Sequence, residues 1–332
     1  MKNPHQFSVL LQSFFTDYLI EQRQVSPHTI ASYRDTFRLF LRFSQKHLKT
    51  IPSNLDLTQV DASLIRLFLR ELEVQRKVSA QTRNQRLAAI HSCFRYAALQ
   101  YPEYSETIQQ ILAIPHKRYD RVPIDYLTTD EINSLLSVPD RTIWSGRRDY
   151  TLLLVGIRTG LRVSELTGLH QSDIIFGTGA HIHCFGKGRK QRSTPITKNT
   201  AKVLQQWLHE CHLNEEDLVF TNARGGHLST DGVQYILDKH IEHARELCLS
   251  LKKKRITPHV LRHTAAMQLL QSGVDPMIIA IWLGHESVET TQIYIKEDLK
   301  MKEQALKKTQ ESKSKSLRFK PEDKLLEFLQ AL

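Results

Sequence analysis

Cysteine is scarce in this chain: 4 in 332 residues, at Cys93, Cys184, Cys211 and Cys248, with no Cys-x-x-Cys pair. That spacing argues against a zinc ribbon or a disulfide scaffold and fits a reducing compartment. Long apolar runs are also missing. Stretches such as Tyr150 to Ile157 fall far short of the roughly 20 residues a membrane helix needs. Met1 to Leu11 lack the basic-then-apolar plan of a secretion signal, so the expected location is cytoplasmic. Acidic residues are the minority charge, 35 against 46 Lys and Arg, for a net +11. An excess of that sign suits a polyanionic partner, nucleic acid before an anionic membrane surface. No repeat of solenoid type interrupts the chain. A hydrophobic content of 40 % is enough for ordinary cores, and the length suits two domains.

The first hundred residues read as all helix. Phe7, Leu10, Leu11, Phe14, Tyr18 and Leu19 recur at helical spacing. Ser26-Pro27 gives an N-cap with proline at the first turn, starting a helix that turns Phe37, Phe40 and Leu41 inward. Leu64, Leu67, Phe68 and Leu72 mark a third helix, and Ser79 caps a fourth carrying Leu87, Ile90 and Phe94. Four short helices joined by brief loops make a small bundle. From about 101 to 126 the pattern weakens, and Pro115, His116-Lys117-Arg118 and Pro123 mark a linker.

Thr128-Thr129-Asp130-Glu131 restarts the helical pattern with a capping box. One region breaks it. Residues 173–196 place Gly177, Gly179, Gly186 and Gly188 between the runs His181 to Phe185 and Arg192 to Ile196, which predicts a small antiparallel sheet whose tight turn bears Lys187. After a charged helix at about 299–309 comes a flexible serine-lysine link. Leu325, Phe328, Leu329 and Leu332 then form one stripe of a terminal amphipathic helix.

Certain residues in this order suggest chemistry on a phosphodiester. Breaking that bond without a metal needs an in-line nucleophile, cations for two non-bridging oxygens, and a proton for the leaving oxygen. A tyrosine phenolate can attack, arginine forks suit the charged oxygens, and lysine or histidine can move protons. Arg162 stands three residues before Glu165, which could hold its guanidinium in place. His259 and Arg262 share a helix face after Thr257-Pro258, His285 follows Gly284, and Tyr294 comes last.

These motifs, Thr159-Gly160-Leu161-Arg162-Val163-Ser164-Glu165, His259-Val260-Leu261-Arg262-His263, Leu283-Gly284-His285 and Tyr294, resemble those of the tyrosine recombinase (phage integrase) family. The resemblance implies a mainly α protein: a SAM-like four-helix core-binding bundle, then a mixed α+β catalytic domain with a small antiparallel sheet. The corresponding domains would be 1–115, a linker 116–127, a catalytic domain 128–300 and a tail 301–332. It also implies a two-domain clamp on duplex DNA, with Arg162, Lys187, His259, Arg262, His285 and Tyr294 catalytic. Tyr294 would form a 3′-phosphotyrosyl bond, Lys187 would act as general acid, and no cofactor or metal would be needed. Four protomers would act on two sites through a Holliday junction, with a C-terminal helix docking on a neighbour. The resemblance places the start of the bundle almost at Met1 of this sequence, so the extra arm-binding domain of many phage integrases is expected to be absent.

Other readings compete. A type IB topoisomerase uses the same chemistry, and a decayed recombinase would bind DNA without cutting it. His259 and His263 have metal-pair spacing, but Val260 and Leu261 stand where a zincin has its glutamate. Gly186-Lys187-Gly188 lacks the ending of a phosphate-binding loop. His181 and His183 suit a solvated strand face. Arg34, Arg38 and Arg42 on one helix, and Lys252, Lys253, Lys254 and Arg255 in a loop, suit phosphate contacts and a solvated surface equally.

Overall fold

The computed structural model describes residues 6–119, 125–185 and 191–284. Lys187, His285, Tyr294 and the whole tail therefore lie outside the described residues. The chain divides into two compact units, residues 1–122 and 123–332.

In the first unit, α1 (Phe7–Ser13) runs into a π-helical stretch, Phe14–Gln22, and is followed by α2 (Pro27–Leu48), α3 (Ala62–Val74), α4 (Ala80–Gln100) and α5 (Ser105–Leu112). The caps form where the sequence placed them. Ser26 accepts from the Thr29 N–H at 3.3 Å and Ser79 from the Thr82 N–H at 3.2 Å, each satisfying a donor the helix itself cannot. The core is aromatic: Phe7, Phe14, Phe37, Phe40, Phe68 and Phe94 are all buried. Phe40 meets Phe7 and Phe68 edge-on, with centroids 5.9 and 5.3 Å apart, a geometry the ring quadrupoles favour.

One expectation needs correction here. The stretch from 101 contains a fifth helix, α5, whose Ile108 and Ile111 join this core together with Ile114. Beyond it, the Lys117 backbone is fixed to Asn84 by bonds of 2.8 and 3.0 Å, and its ammonium pairs with Glu73.

The second unit contains α6 (Thr129–Ser137), α7 (Trp144–Thr159), α8 (Val163–Thr167), α9 (Lys198–Cys211), α10 (Thr230–Leu247), α11 (Pro258–Gln271) and α12 (Pro276–Leu283). Its strands β1 (Ile174–Ile175), β2 (His181–Phe185) and β3 (Gln191–Pro195) pair antiparallel in sequence order. Register sets Cys184 opposite Arg192 and Ile182 opposite Thr194, and Ile182, Cys184 and Thr194 are buried. Period-two alternation therefore turns Arg192 toward the same inner face as Thr194. Helix α7 supplies the centre of the core with Leu152, Leu153, Val155 and Ile157, and Leu127, from the segment expected as linker, is buried in that core with its N–H donated to Thr264.

Charged groups are buried here too. Glu131 forms the α6 capping box with Thr128 and also accepts from Ser250 at 2.5 Å and Lys254 at 2.7 Å. Burial raises its pKa, but the bonds from Lys254, Ser250 and Thr128 more than offset that, holding the carboxyl below the ordinary range. Asp149 pairs likewise with Arg148 and His240 at 2.7 and 2.8 Å. No described helix is long and apolar enough to cross a membrane.

Candidate active site

Arg162 is the N-cap of α8, in extended conformation just after the left-handed turn at Gly160. Glu165, one turn on, reaches back to accept the Arg162 N–H at 2.7 Å, which is the reciprocal half of a capping box. The same carboxylate accepts Nη1 of Arg162 at 2.9 Å. Its remaining capacity is filled by Arg192 of β3, whose Nη1 and Nη2 reach Oε1 and Oε2 at 2.8 and 2.7 Å. This fork-on-carboxylate geometry is the strong, direction-fixing form of the ion pair. Burial tends to raise the Glu165 pKa, yet Arg192 first and Arg162 second hold it below the ordinary carboxylate range. Arg192 moves the opposite way: burial lowers it, Glu165 raises it further, and the net shift is upward.

Arg262 sits one turn into α11, after Pro258 at its start, and is buried. Its Nη1 donates to the Gly160 carbonyl at 2.8 Å and its Nη2 to the Leu283 carbonyl at 2.5 Å. Arg162 Nη2 donates to the Gly284 carbonyl at 2.7 Å, and Arg192 Nε to the Trp282 carbonyl at 3.0 Å. Three guanidinium groups thus hold three successive carbonyls at the end of α12. Those carbonyls are the ones a helix leaves unpaired, and the negative end of its dipole attracts cations.

Two glycines make the approach possible. Gly160 and Gly284 both have positive φ, 66° and 64°. A Cβ on Gly160 would stand 2.7 Å from Leu283, and one on Gly284 3.1 Å from Arg192. Only glycine satisfies both the backbone and the space.

The structure therefore brings Arg162, Glu165 and Arg262 together around the backbone that leads directly into His285. His259 lies on the same helix as Arg262, one turn earlier and exposed. His263, half-buried beside them, has its pKa pushed down to about 4, chiefly by burial and then by His259 and Arg262. Lys187, His285 and Tyr294 fall outside the described residues.

Arg34, Arg38 and Arg42 are exposed along α2, as are Lys252, Lys253 and Arg255 in the second unit. Lys254 differs from its neighbours, since its ammonium is held by Glu131 and the Tyr126 carbonyl, each at 2.7 Å. Arg192 was not among the residues singled out from sequence. The signal that could have found it is an arginine on the inward register of a strand, a position that demands a buried acid.

Comparison with known proteins agrees with this picture. The phage integrase family model matches residues 125–301, and the phage integrase N-terminal SAM-like domain matches residues 13–100. The integrase/recombinase y4rC of Sinorhizobium fredii is 54 % identical over 97 % of this chain and 97 % of its own length. Tyrosine recombinase XerC of Pelobacter propionicus is 34 % identical over 84 % of this chain and 88 % of that protein. The fold is also that of XerH recombinase in its difH pre-cleavage complex, with a TM-score of 0.63, 24 % identity, and coverage of 83 % of this chain and 78 % of that one. With motif order, fold and relatives in accord, the chain belongs to the phage integrase family, the tyrosine recombinases, which are site-specific DNA strand transferases.

Proposed function

We propose that this protein cuts and rejoins duplex DNA at specific sites through a 3′-phosphotyrosyl intermediate. The observation that carries the reading is the convergence of Arg162 and Arg262 on the backbone immediately before His285, with Glu165 bonded to Arg162. Among the described side chains, one carboxylate stands against three guanidinium groups, a cationic cluster suited to a phosphodiester.

In this scheme the Tyr294 phenolate oxygen attacks phosphorus and the bond to the 5′-oxygen breaks. Lys187 gives that oxygen its proton. Arg162, Arg262 and His285 neutralise the non-bridging oxygens, and His259 assists as acid, base or donor. The 5′-hydroxyl of a partner strand then attacks the phosphotyrosine, releasing Tyr294 and restoring the phosphodiester. Bond energy is conserved, so no nucleotide cofactor enters. The proposed working form is a cytoplasmic tetramer on two sites, with residues 1–115 and 128–300 as DNA-binding and catalytic domains and a C-terminal helix docked on a neighbour. The solved lambda integrase tetramer bound to a Holliday junction, at a TM-score of 0.63 and 16 % identity over 86 % of this chain and 76 % of that one, has a fold that accommodates such an assembly.

The test uses a randomised library of nicked duplexes. The nick lets the short 5′-hydroxyl fragment diffuse away after cleavage, which traps the covalent product. Wild-type protein should yield denaturation-resistant adducts whose DNA converges on one sequence. Tyr294→Phe should bind the same sequence and yield none, and adducts formed by that variant would remove Tyr294 from its role.

A further inference from the structure

We propose that Arg192 is a positioning residue that keeps Arg162 available to the phosphate by occupying the other side of Glu165. The inference rests on the function proposed above and adds a residue to it. Side-chain exposures are 9 % for Arg192, 5 % for Glu165 and 30 % for Arg162, so Arg162 is the guanidinium of the trio open to a ligand. Arg192 is not. All three of its nitrogens donate within the protein, two to Glu165 and one to the Trp282 carbonyl.

Its anchoring joins three separate pieces of chain: β3, the start of α8 and the end of α12. Gly284 packs directly on it, with an added Cβ only 3.1 Å from its Cδ and Nη1. The fork of Arg192 takes both carboxylate oxygens, which leaves Arg162 one contact through Nη1 and frees its Nη2 for the Gly284 carbonyl.

Without Arg192, a buried Glu165 would be left with a single cation. A buried carboxylate recruits whatever charge can reach it, and bidentate pairing is the preferred form. Arg162 would then turn its fork onto Glu165 and away from the phosphate. Arg192 thus sets the direction of Arg162 as well as balancing its charge. A simple structural brace would lack the second effect.

The two roles separate in a pair of variants. Arg192→Met keeps the side-chain length and removes the charge; Arg192→Met with Glu165→Gln also removes the acid that would capture Arg162. Each is measured under single turnover at saturating nicked DNA of the sequence recovered with wild-type protein, well below its Tm. Arg192→Met should lower the cleavage rate constant by about 10- to 100-fold, the scale of a small misplacement of a reacting group, with DNA affinity within about threefold of wild type. The double variant should cleave faster than the single one.

A brace predicts loss of active fraction with an unchanged rate constant, and a double variant no faster than the single; either result overturns the proposal. Should Arg192→Met fail to fold, Arg192→Lys carries the same comparison with and without Glu165→Gln. It keeps the charge but reaches one oxygen at a time, and a wild-type rate constant in it would equally overturn the role. Absence of any wild-type adduct would instead count against the proposed function.

Discussion

The two units of this molecule are stabilised by different means. The first is held by rings: seven buried phenylalanines form its centre, and its arginine stripe Arg34, Arg38 and Arg42 faces outward. The second has an aliphatic core but also buries Glu131, Asp149, Glu165, Arg192 and Arg262, each with partners. Aromatic packing gives stability and leaves the surface for ligand contact. Buried ion pairs contribute little net stability after desolvation, but they fix direction. The lesson is that the site's precision and the fold's stability reside in different kinds of contact.

The largest break in that comparison should come from one substitution in each unit. Phe40→Ala should cost about 3–5 kcal/mol of stability, as for other large-to-small core changes, while leaving the cleavage rate constant of folded protein near wild type. Glu165→Ala should cost a similar amount, about 3–5 kcal/mol, because it strands a buried arginine, and it should also slow cleavage about 100-fold. Denaturant titration and single-turnover cleavage on the same samples give both numbers. A wild-type rate in the glutamate variant would erase the distinction.

A pH series sharpens it at smaller amplitude. The folded-state pKa of His263, about 4, lies below its ordinary 6.5, so the unfolded chain takes up the proton first as pH falls. The stability this neutral histidine contributes is full above pH 6.5 and is lost progressively down to about 4. The depressed carboxylates Glu131, Asp149 and Glu165 lose theirs only lower, as pH passes down through and below the ordinary carboxylate range. Melting of the second unit should therefore soften in two stages on acidification, and His263→Asn should flatten the upper one. A single acid transition unaffected by that variant would contradict the assignment.

The smallest effect concerns the outward stripe of the first unit. If Arg38 contacts a phosphate, Arg38→Ala should reduce the slope of log affinity against log salt by about 1, with cleavage at saturating DNA unaltered. An unchanged slope would make that arginine a solvated surface residue.

Much of this was legible in the sequence, for local reasons. Ser26, Ser79 and Thr128 cap helices by bonds to residues three further on, and the small sheet follows from glycines between alternating runs. What was not legible depends on distance along the chain. Arg192 meets Glu165 and Trp282 across separations of 27 and 90 residues. Lys254 meets Glu131 across 123, so a run of like-charged residues concealed one half-buried ion-pair partner. Helix α5 was hidden because it is short, follows Pro102, and has few apolar residues to set a period.

The account's central claim is that Tyr294 becomes bonded to DNA in a site organised by Arg162 and Arg262. Proteolysis of the trapped wild-type adduct, followed by mass spectrometry, tests this directly. The result predicted is a 3′-phosphonucleotide on Tyr294 itself, with adduct yield falling about 100- to 1,000-fold in Arg262→Ala. A phosphonucleotide on any other residue, or undiminished yield in that variant, would contradict it.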